Sequence, residues 1–152
     1  MLGTACAADE NVDITFDPCA DLRIAVSSDA DPDDAAAVDA AMVEWSRVLP
    51  VKYELVQDAS PDVLRVRFSS GDSYFRAIYW DAVGTVEISR DRLAASDYPL
   101  AVAHELGHSF GLLHVDPSVR TSVMNVGNLS VSPTEEDAAE VSAHWDSCRR
   151  DQ

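Results

Sequence analysis

The sequence predicts a single α+β domain with five strands and three helices. Three observations support this. The length of 152 residues is usual for one domain. Apolar residues make up 47% and charged residues 25% of the chain, as in ordinary globular proteins. Hydrophobic patterns occur in the order strand, helix, four strands, helix, helix, with no internal repeat or linker between them. We place the domain at residues 21–152, after an N-terminal extension at residues 1–20.

The first strand and the first helix have clear signals. Apolar residues alternate with others over residues 22–26, a pattern typical of a half-buried strand. Asp31 can cap the helix that follows, and Pro32 suits its first turn. Pro50 closes the segment. Four apolar residues at helical spacing predict the buried face: Val38, Met42, Trp45 and Leu49.

Four further strand patterns come before the second helix. Turn-rich segments containing Gly, Ser, Asp and Pro separate them. The short connections favour a sheet in which consecutive strands are neighbours. The patterns lie at residues 51–55, 64–68, 76–80 and 84–88.

The last two helices are predicted mainly by their first turns. The second should begin near Asp97, with Pro99 in its first turn. In the third, Ser132 can act as the N-cap and Glu135 can complete a capping box. The apolar stripe of this third helix continues to about Cys148.

Charge excludes several classes of partner. Eleven Lys and Arg against 27 Asp and Glu give a formal net charge of -16, which argues against binding to nucleic acid or to anionic membranes.

No run of residues approaches the roughly 18 to 20 apolar residues of a transmembrane helix. Cys6 follows Leu-Gly-Thr-Ala, which is similar to the end of a bacterial lipoprotein signal. We expect a monomeric protein that is secreted or attached to the cell envelope, with a lipid anchor only if a longer precursor supplies it.

Three cysteines permit one internal disulfide. Cys148 continues the inward-facing stripe of the last helix, and Cys19 immediately precedes the first strand. We therefore predict a disulfide between Cys19 and Cys148 that ties the two chain ends and leaves Cys6 free. The alternative, three reduced thiols in a cytosolic protein, stays open.

Residues 104–114 carry the candidate chemistry and read His-Glu-Leu-Gly-His-Ser-Phe-Gly-Leu-Leu-His. His104 and His108 are one helical turn apart on the same face, so they can share a metal ion. Gly111 can end the helix in a left-handed turn that brings His114 to the same place. Three neutral imidazoles leave the fourth corner of a tetrahedron for water, which is the arrangement of a catalytic zinc site.

Glu105 is the candidate acid and base. It is next to a ligand in sequence, so its carboxylate can lie beside the metal and take a proton from an activated water molecule. Five specified positions in eleven residues would arise by chance in such a chain with a probability on the order of 10⁻⁵. A structural metal site without catalysis stays open, although such sites usually have four protein ligands and give Glu105 no purpose.

The motif resembles the long zinc-binding motif of the metzincin metallopeptidases, position by position across residues 104–114. Residues 122–125 are similar to the family's Met-turn, which implies that Met124 lies beneath the metal as a hydrophobic base. The resemblance covers residues 22–141 and implies a mixed, twisted five-stranded sheet in a zinc endopeptidase domain. Among metzincins, matrixins are the most similar, at residues 41–46, 102–103 and 132–133.

Several positions differ from related families. Val115 follows the third histidine where vertebrate matrixins have Ser, and Asn125 stands where astacins and serralysins have a tyrosine ligand. The chain has four histidines, too few for the second, structural zinc site of matrixins in its usual form. One catalytic Zn²⁺ is therefore expected. Calcium stays open, because Asp72, Asp81 and Asp116 are residues of a suitable type.

The resemblance also implies how substrates bind. Extended proteins or peptides should lie along an antiparallel edge strand, within residues 76–80 or the strand before it. Residues 124–131 should form part of the specificity pocket. Cys6 is a candidate for the pro-segment group that blocks the zinc of latent matrixins, although its neighbours differ from the usual context. A non-catalytic binding module with a structural zinc, and an exopeptidase or small-substrate hydrolase, remain as alternatives.

Overall fold

The computed structural model describes residues 12–27, 31–57, 60–71 and 73–149. Within these ranges the fold is α+β, with one five-stranded mixed sheet and three α-helices, as the sequence predicts. In chain order the elements are β1 Leu22–Val26, α1 Pro32–Ser46, β2 Tyr53–Val56, β3 Leu64–Ser69, β4 Ala77–Trp80, β5 Thr85–Ser89, α2 Tyr98–Ser109 and α3 Glu135–His144.

The sheet has the strand order β2-β1-β3-β5-β4. Parallel pairing joins β1 to both β2 and β3, and β3 to β5, whereas β4 is antiparallel to β5. The expectation that consecutive strands are neighbours is therefore wrong for β2 and β3, which β1 separates, and for β3 and β4, which β5 separates. Parallel neighbours cannot be joined by a tight turn, so α1 lies between β1 and β2 in the chain, and β4 lies between β3 and β5. As a result, β4 is an antiparallel strand at one edge of the sheet.

Helix α1 begins as predicted. The side chain of Asp31 accepts hydrogen bonds from the first turn, and the carboxylate of Asp34 accepts one from the Asp31 N–H. The helix ends at Ser46 rather than near Pro50, because the next residues form tighter turns back to the Trp45 carbonyl. The predicted inner face is confirmed. Its members Val38, Met42 and Trp45 are fully buried, and Leu49 is nearly so.

Helices α1 and α2 pack on one face of the sheet and share a core with it. The indole N–H of Trp45 donates to the Ala103 carbonyl at 3.0 Å. Its ring meets Phe110 edge to face, with centroids 5.4 Å apart. Leu106 and Phe110, on the inner side of α2, are both fully buried. The helix with the histidine motif is thus held firmly between α1 and the sheet.

The N-cap of helix α3 lies two residues later in the chain than predicted. Thr134, not Ser132, is the N-cap, with φ -103° and ψ 171°. Its hydroxyl accepts from the Asp137 N–H, and the Asp137 carboxylate accepts from the Thr134 N–H. Both Ser-x-x-Glu at 132–135 and Thr-x-x-Asp at 134–137 fit the capping-box pattern. The second is used because Asp137 has further partners inside the molecule.

The end of the chain is fixed by a side chain and a disulfide. Helix α3 stops at His144, earlier than predicted, because Trp145 leaves the helical region and donates its indole N–H to the Phe110 carbonyl at 2.9 Å. Cys148 then forms a disulfide with Cys19, with Cα atoms 5.1 Å apart. This pairing is the predicted one. Cys6 lies outside the described residues.

The segment before β1 lies against α2 and β4. Phe16 donates its N–H to the Ser109 carbonyl at 2.8 Å, and the Ile14 carbonyl accepts the Tyr79 hydroxyl at 2.6 Å. The proposed boundary at residue 20 stays a prediction. None of the helices in the described ranges has the length and apolar character needed to cross a membrane.

Candidate metal centre

Three imidazole nitrogens converge at the end of α2. His104 and His108 lie on the helix, His114 lies in the loop after it, and their candidate ligand atoms are within 4.8 Å of one another. The Nε2 atoms of His104 and His114 are 3.3 Å apart. Two ligands at tetrahedral corners, each about 2.0 to 2.1 Å from zinc, are about 3.4 Å apart. This pair of nitrogens therefore has the separation that a zinc ion requires.

Backbone carbonyls orient two of the rings. His104 Nδ1 lies 2.7 Å from the Val123 carbonyl oxygen, and His108 Nδ1 lies 2.8 Å from that of Leu112. A carbonyl only accepts, so each Nδ1 carries the proton and each Nε2 keeps its lone pair. The buried Nε2 of His108 has no hydrogen-bond partner among the described residues. A buried acceptor aimed at two other imidazoles fits a shared cation.

Burial also keeps the three rings neutral. Desolvation lowers the pKa of His104 to about 4, against an opposing contribution from the Val123 carbonyl. Desolvation, followed by the neighbouring rings of His104 and His114, holds the pKa of His108 well below its ordinary value. The pKa of His114 is also lowered by burial. Neutral imidazole is the metal-binding form, so the rings are ready to bind a cation at neutral pH.

One turn ends α2 and aims the chain at the third histidine. Gly111 has φ +108° and donates its N–H to the His108 carbonyl at 3.0 Å. The Leu112 N–H donates to the Gly107 carbonyl at 2.9 Å, which completes a Schellman motif. The Leu112 carbonyl then accepts from His108 Nδ1. The same few residues therefore end the helix, orient one ring and lead to His114.

The segment predicted as a Met-turn lies directly under α2. The Asn125 N–H donates to the Ser122 carbonyl at 3.1 Å, and Met124 is fully buried. A Cβ atom at Gly107 would lie only 2.4 Å from Met124 Sδ. Glycine at this helical position therefore leaves room for the methionine. The Asn125 amide donates to the carbonyls of Val115 and Arg120, which ties the turn to the loop after the third histidine.

A buried carboxylate, Asp137, holds this turn in place. Its Oδ1 accepts from Ser122 Oγ at 2.5 Å and from Arg120 Nη1 at 2.9 Å. Its Oδ2 accepts from the N–H groups of Val123 and Thr134, each at 3.0 Å. Burial alone would raise the pKa of Asp137, but the hydrogen bonds together lower it.

Sequence reasoning missed this support. Asp137 holds the Val123 N–H, and the carbonyl of Val123 orients His104, so one residue connects α3 to the first ring. The only available signal was an acidic residue in the first turn of a helix, which usually means no more than a favourable helix dipole. The carbonyls of Val123 and Leu112 had no signal at all.

Glu105 lies beside the three imidazoles. Its Oε2 is 3.9 Å from His104 Nε2, and its buried Oε1 has no hydrogen-bond partner among the described residues. Burial raises the pKa of Glu105 to about 8, while the Tyr79 N–H, which donates to the carboxylate, acts in the opposite direction. A nearby divalent cation favours the ionised form of such a group. The carboxylate therefore has Oε1 available for a proton.

In the described part of the chain no strand pairs with the outer edge of β4, and this edge lies beside the Glu105 carboxylate. The Ser89 N–H donates to the Arg76 carbonyl at 2.9 Å. Backbone groups alternate along a strand, so those of Ala77 and Tyr79 face away from β5. Because the Tyr79 N–H bonds to Glu105, we infer that both backbone groups of Ala77 and the carbonyl of Tyr79 face an extended chain placed on this edge.

The residues considered for calcium have local partners. The Asp81 carboxylate accepts from the Asp13 N–H at 3.0 Å, and Asp116 accepts from the N–H and hydroxyl of Ser118. Asp72 lies outside the described residues. Calcium binding stays a prediction that these contacts do not test.

Known structures share this architecture. The chain matches high choriolytic enzyme 1, a hatching enzyme zinc-protease from the medaka fish Oryzias latipes, with a TM-score of 0.54 and 14% identity over 84% of this chain and 90% of that chain. The chain has the fold of a zinc protease. Two myroilysin structures also match, with TM-scores of 0.49 and 0.48 and identities of 18% and 13%, over 69% and 100% of this chain. This chain spans 55% of the length of the first myroilysin chain and 78% of the second.

The likeness at this level of identity concerns the fold. It confirms the metzincin-type fold predicted from the histidine motif and does not distinguish a matrixin-like subtype. No protein-family model matches the sequence, and no curated protein matches it.

Proposed function

We propose that the chain is a zinc-dependent endopeptidase that cleaves extended protein or peptide segments. One observation carries the proposal. Three neutral imidazoles converge on one point, and a buried glutamate, whose Oε1 has no hydrogen-bond partner among the described residues, lies beside them, next to the edge strand β4. A structural site has no need of that glutamate, whose burial without a full set of partners is unfavourable. The zinc-protease fold is consistent with this function.

The histidines and Glu105 have separate roles in the proposed reaction. His104, His108 and His114 would hold the zinc through their converging ring nitrogens. When bound, zinc supplies a Lewis acid that activates water and polarises a peptide carbonyl. Glu105 takes a proton from the attacking water at its free Oε1 and later donates it to the leaving amine nitrogen. The Tyr79 N–H favours the ionised form of this carboxylate.

Substrate recognition should follow from the two walls of the cleft. On one side, β4 offers backbone groups that can pair with an extended peptide. On the other side, residues 124–131 follow the buried turn at Met124 and should shape the pocket for a substrate side chain. Both walls suit protein or peptide substrates, and the net charge of -16 does not suit nucleic acid.

The test combines metal analysis with cleavage of a peptide library. We expect about one zinc per chain, cleavage within peptides rather than at their ends, and loss of cleavage with a chelator that added zinc reverses. Glu105→Ala should keep its zinc and lose activity by a factor of about 10² to 10⁴. The matched control is Glu54→Ala, which removes an exposed carboxylate on β2, at the opposite edge of the sheet.

Two results would separate this function from its rivals. A folded, fully zinc-loaded wild type that cleaves nothing in the library would favour the non-catalytic binding module. Products released only from peptide ends would favour an exopeptidase. Mass spectrometry of the products distinguishes these cases in a single experiment.

We further propose a matrixin-like subtype with one zinc. The residues at 41–46, 102–103 and 132–133 support it, and Asn125 has structural hydrogen bonds rather than the role of a tyrosine ligand. Metal analysis tests the stoichiometry, and activity with and without calcium tests that ion. Light scattering should give a monomer near 16.5 kDa. The disulfide suits an oxidising compartment, as expected for a secreted or cell-envelope protein.

A further inference from the structure

Arg76 differs from the other cationic residues in the described part of the chain. It is exposed and directly precedes β4. Its guanidinium donates no hydrogen bond and forms no ion pair with any described residue. Such partners exist for Arg23, Arg47, Lys52, Arg65, Arg67, Arg90, Arg92, Arg120 and Arg149.

The side chain of Arg76 reaches from one wall of the cleft to the other. A Cβ atom at Gly127 would lie 3.1 Å from Arg76 Nη2, so the guanidinium rests over that backbone. Gly127 follows the Met124 turn on the segment proposed as the specificity wall. The side chain of Asn128 orders this wall, because it accepts from the N–H groups of Ser130 and Val131 and donates to the Val131 carbonyl. The cation is therefore placed between two ordered backbones.

Arg76 is also at a defined distance from the proposed chemistry. Tyr79, which contacts Glu105, is the third residue after Arg76 along the strand. A strand rises about 3.3 Å per residue, so these two positions are about 10 Å apart. An extended peptide on the same edge has the same rise. A substrate group at Arg76 would thus lie within about three residues of the cleaved bond, always on the same side of it.

On the basis of the proposed endopeptidase function, we propose that Arg76 determines specificity by binding a substrate carboxylate at that fixed position. The planar guanidinium matches a carboxylate with two parallel hydrogen bonds. The carboxylate comes either from an Asp or Glu side chain or from the C-terminus of the peptide.

The net charge of the whole molecule predicts a preference for basic peptides, which is the opposite of the preference expected from Arg76. A net charge of -16 repels acidic peptides. Salt screens distant charges over about 8 Å at physiological ionic strength, whereas a direct contact is affected much less. If the protein prefers peptides with an acidic group, a local cation must bind that group. If it prefers peptides with basic groups, the preference reflects the long-range electrostatic potential of the whole protein.

The experiment uses zinc-loaded full-length protein and a randomised decapeptide library with free or amidated C-termini. Cleavage by the wild type is compared with cleavage by Arg76→Ala, Arg76→Lys and the charge-matched control Arg47→Ala, in which an exposed arginine after α1 is removed. Binding of the same library to zinc-loaded Glu105→Ala, and to Glu105→Ala combined with Arg76→Ala, gives a second readout that does not need cleavage.

We expect Asp or Glu at one fixed position to be preferred over Asn or Gln by about tenfold, the ratio that one charge-assisted hydrogen bond supplies. Arg76→Ala should bring this ratio close to one, Arg76→Lys should keep part of it, and Arg47→Ala should leave it unchanged. If the group bound is instead the C-terminus, peptides with a free C-terminus should be preferred over amidated peptides by a similar ratio, with no preference for Asp or Glu, and Arg76→Ala should remove that preference.

Different results would contradict the role of Arg76 and the proposed endopeptidase function. Cleavage with no preference for an acidic side chain or a free C-terminus, or with a preference that survives in Arg76→Ala, overturns the role of Arg76 and leaves the endopeptidase intact. An absence of cleavage, together with acidic binding that depends on Arg76, overturns the endopeptidase and keeps the carboxylate site. If the binding readout enriches neither acidic side chains nor free C-termini, the role of Arg76 is overturned in either case.

Discussion

Replacing Asp137 by Asn should destabilise the protein and weaken its metal centre together. The Asp137 carboxylate is fully buried, and each of its oxygens accepts two hydrogen bonds. An asparagine has nearly the same shape but only one accepting oxygen. In either orientation its NH₂ group faces two donors, so two hydrogen bonds are lost.

The expected cost follows from these contacts. A hydrogen bond to a charged acceptor contributes about 1.5 to 3 kcal/mol, so two lost bonds cost about 3 to 6 kcal/mol. The partner Arg120 has 21% of its side chain exposed, and separating a largely buried ion pair costs about 3 to 5 kcal/mol. We therefore expect Asp137→Asn to lower the free energy of unfolding by about 3 to 5 kcal/mol, a large part of the usual 5 to 15 kcal/mol.

Urea unfolding of the metal-free protein, followed by tryptophan fluorescence, measures this loss. With a slope of about 2 kcal/mol per molar urea, the midpoint should fall by about 1.5 to 2.5 M. The control is Asp146→Asn, at a carboxylate that is 91% exposed and pairs with Arg149, and its midpoint should not move. Zinc affinity of Asp137→Asn, measured against a competing chelator, should fall by about 10- to 100-fold, because the neutral amide holds the turn with the Val123 carbonyl, and through it His104, less firmly than the carboxylate does. Equal midpoints for the two variants would refute the reasoning.

Two further predictions concern the disulfide and acid stability. Replacing Cys19 and Cys148 by Ala opens a link across 129 residues, for which loop entropy gives a loss of about 5 kcal/mol; an unchanged urea midpoint would contradict this. The pKa of Asp137 is lower in the folded protein than the ordinary value of about 3.9, so its stabilisation is complete above that pH and is lost as the pH falls through the folded value. The stability difference between wild type and Asp137→Asn should therefore narrow between pH 6 and 2, and a constant difference would show that this carboxyl does not titrate as described.

Local sequence signals predicted most of the fold. Hydrophobic spacing located the strands and the buried face of α1, and Asp31 with Pro32 fixed the start of that helix. Strand order was not predictable in the same way, because pairing depends on contacts between distant segments. The start of α3 was misplaced because Ser132 and Thr134 both begin a valid capping box. Only the buried partners of Asp137 favour the second of these.

The sequence predicted those residues of the candidate site whose side chains can bind a metal or transfer a proton. Helical spacing and one glycine brought the three histidines and Glu105 into a single group, and the structure places them together. The groups that orient them are backbone carbonyls and amides, such as those of Val123 and Tyr79, which every residue possesses. Sequence therefore identifies ligands more readily than their supports. The role proposed for Arg76 had no signal either, because Arg76 is distinguished by having no hydrogen-bond or ion-pair partner among the described residues.

Two tryptophans lie against α2 and can serve as intrinsic fluorescence probes of that helix. Trp45 donates to the carbonyl of Ala103, immediately before the first histidine, and Trp145 donates to the carbonyl of Phe110, just after the helix that carries two of the rings. Their indoles thus contact the middle and the end of α2. Changes in metal occupancy, or strain in that helix during turnover, should alter their emission, so that the centre can be followed in real time without an attached dye.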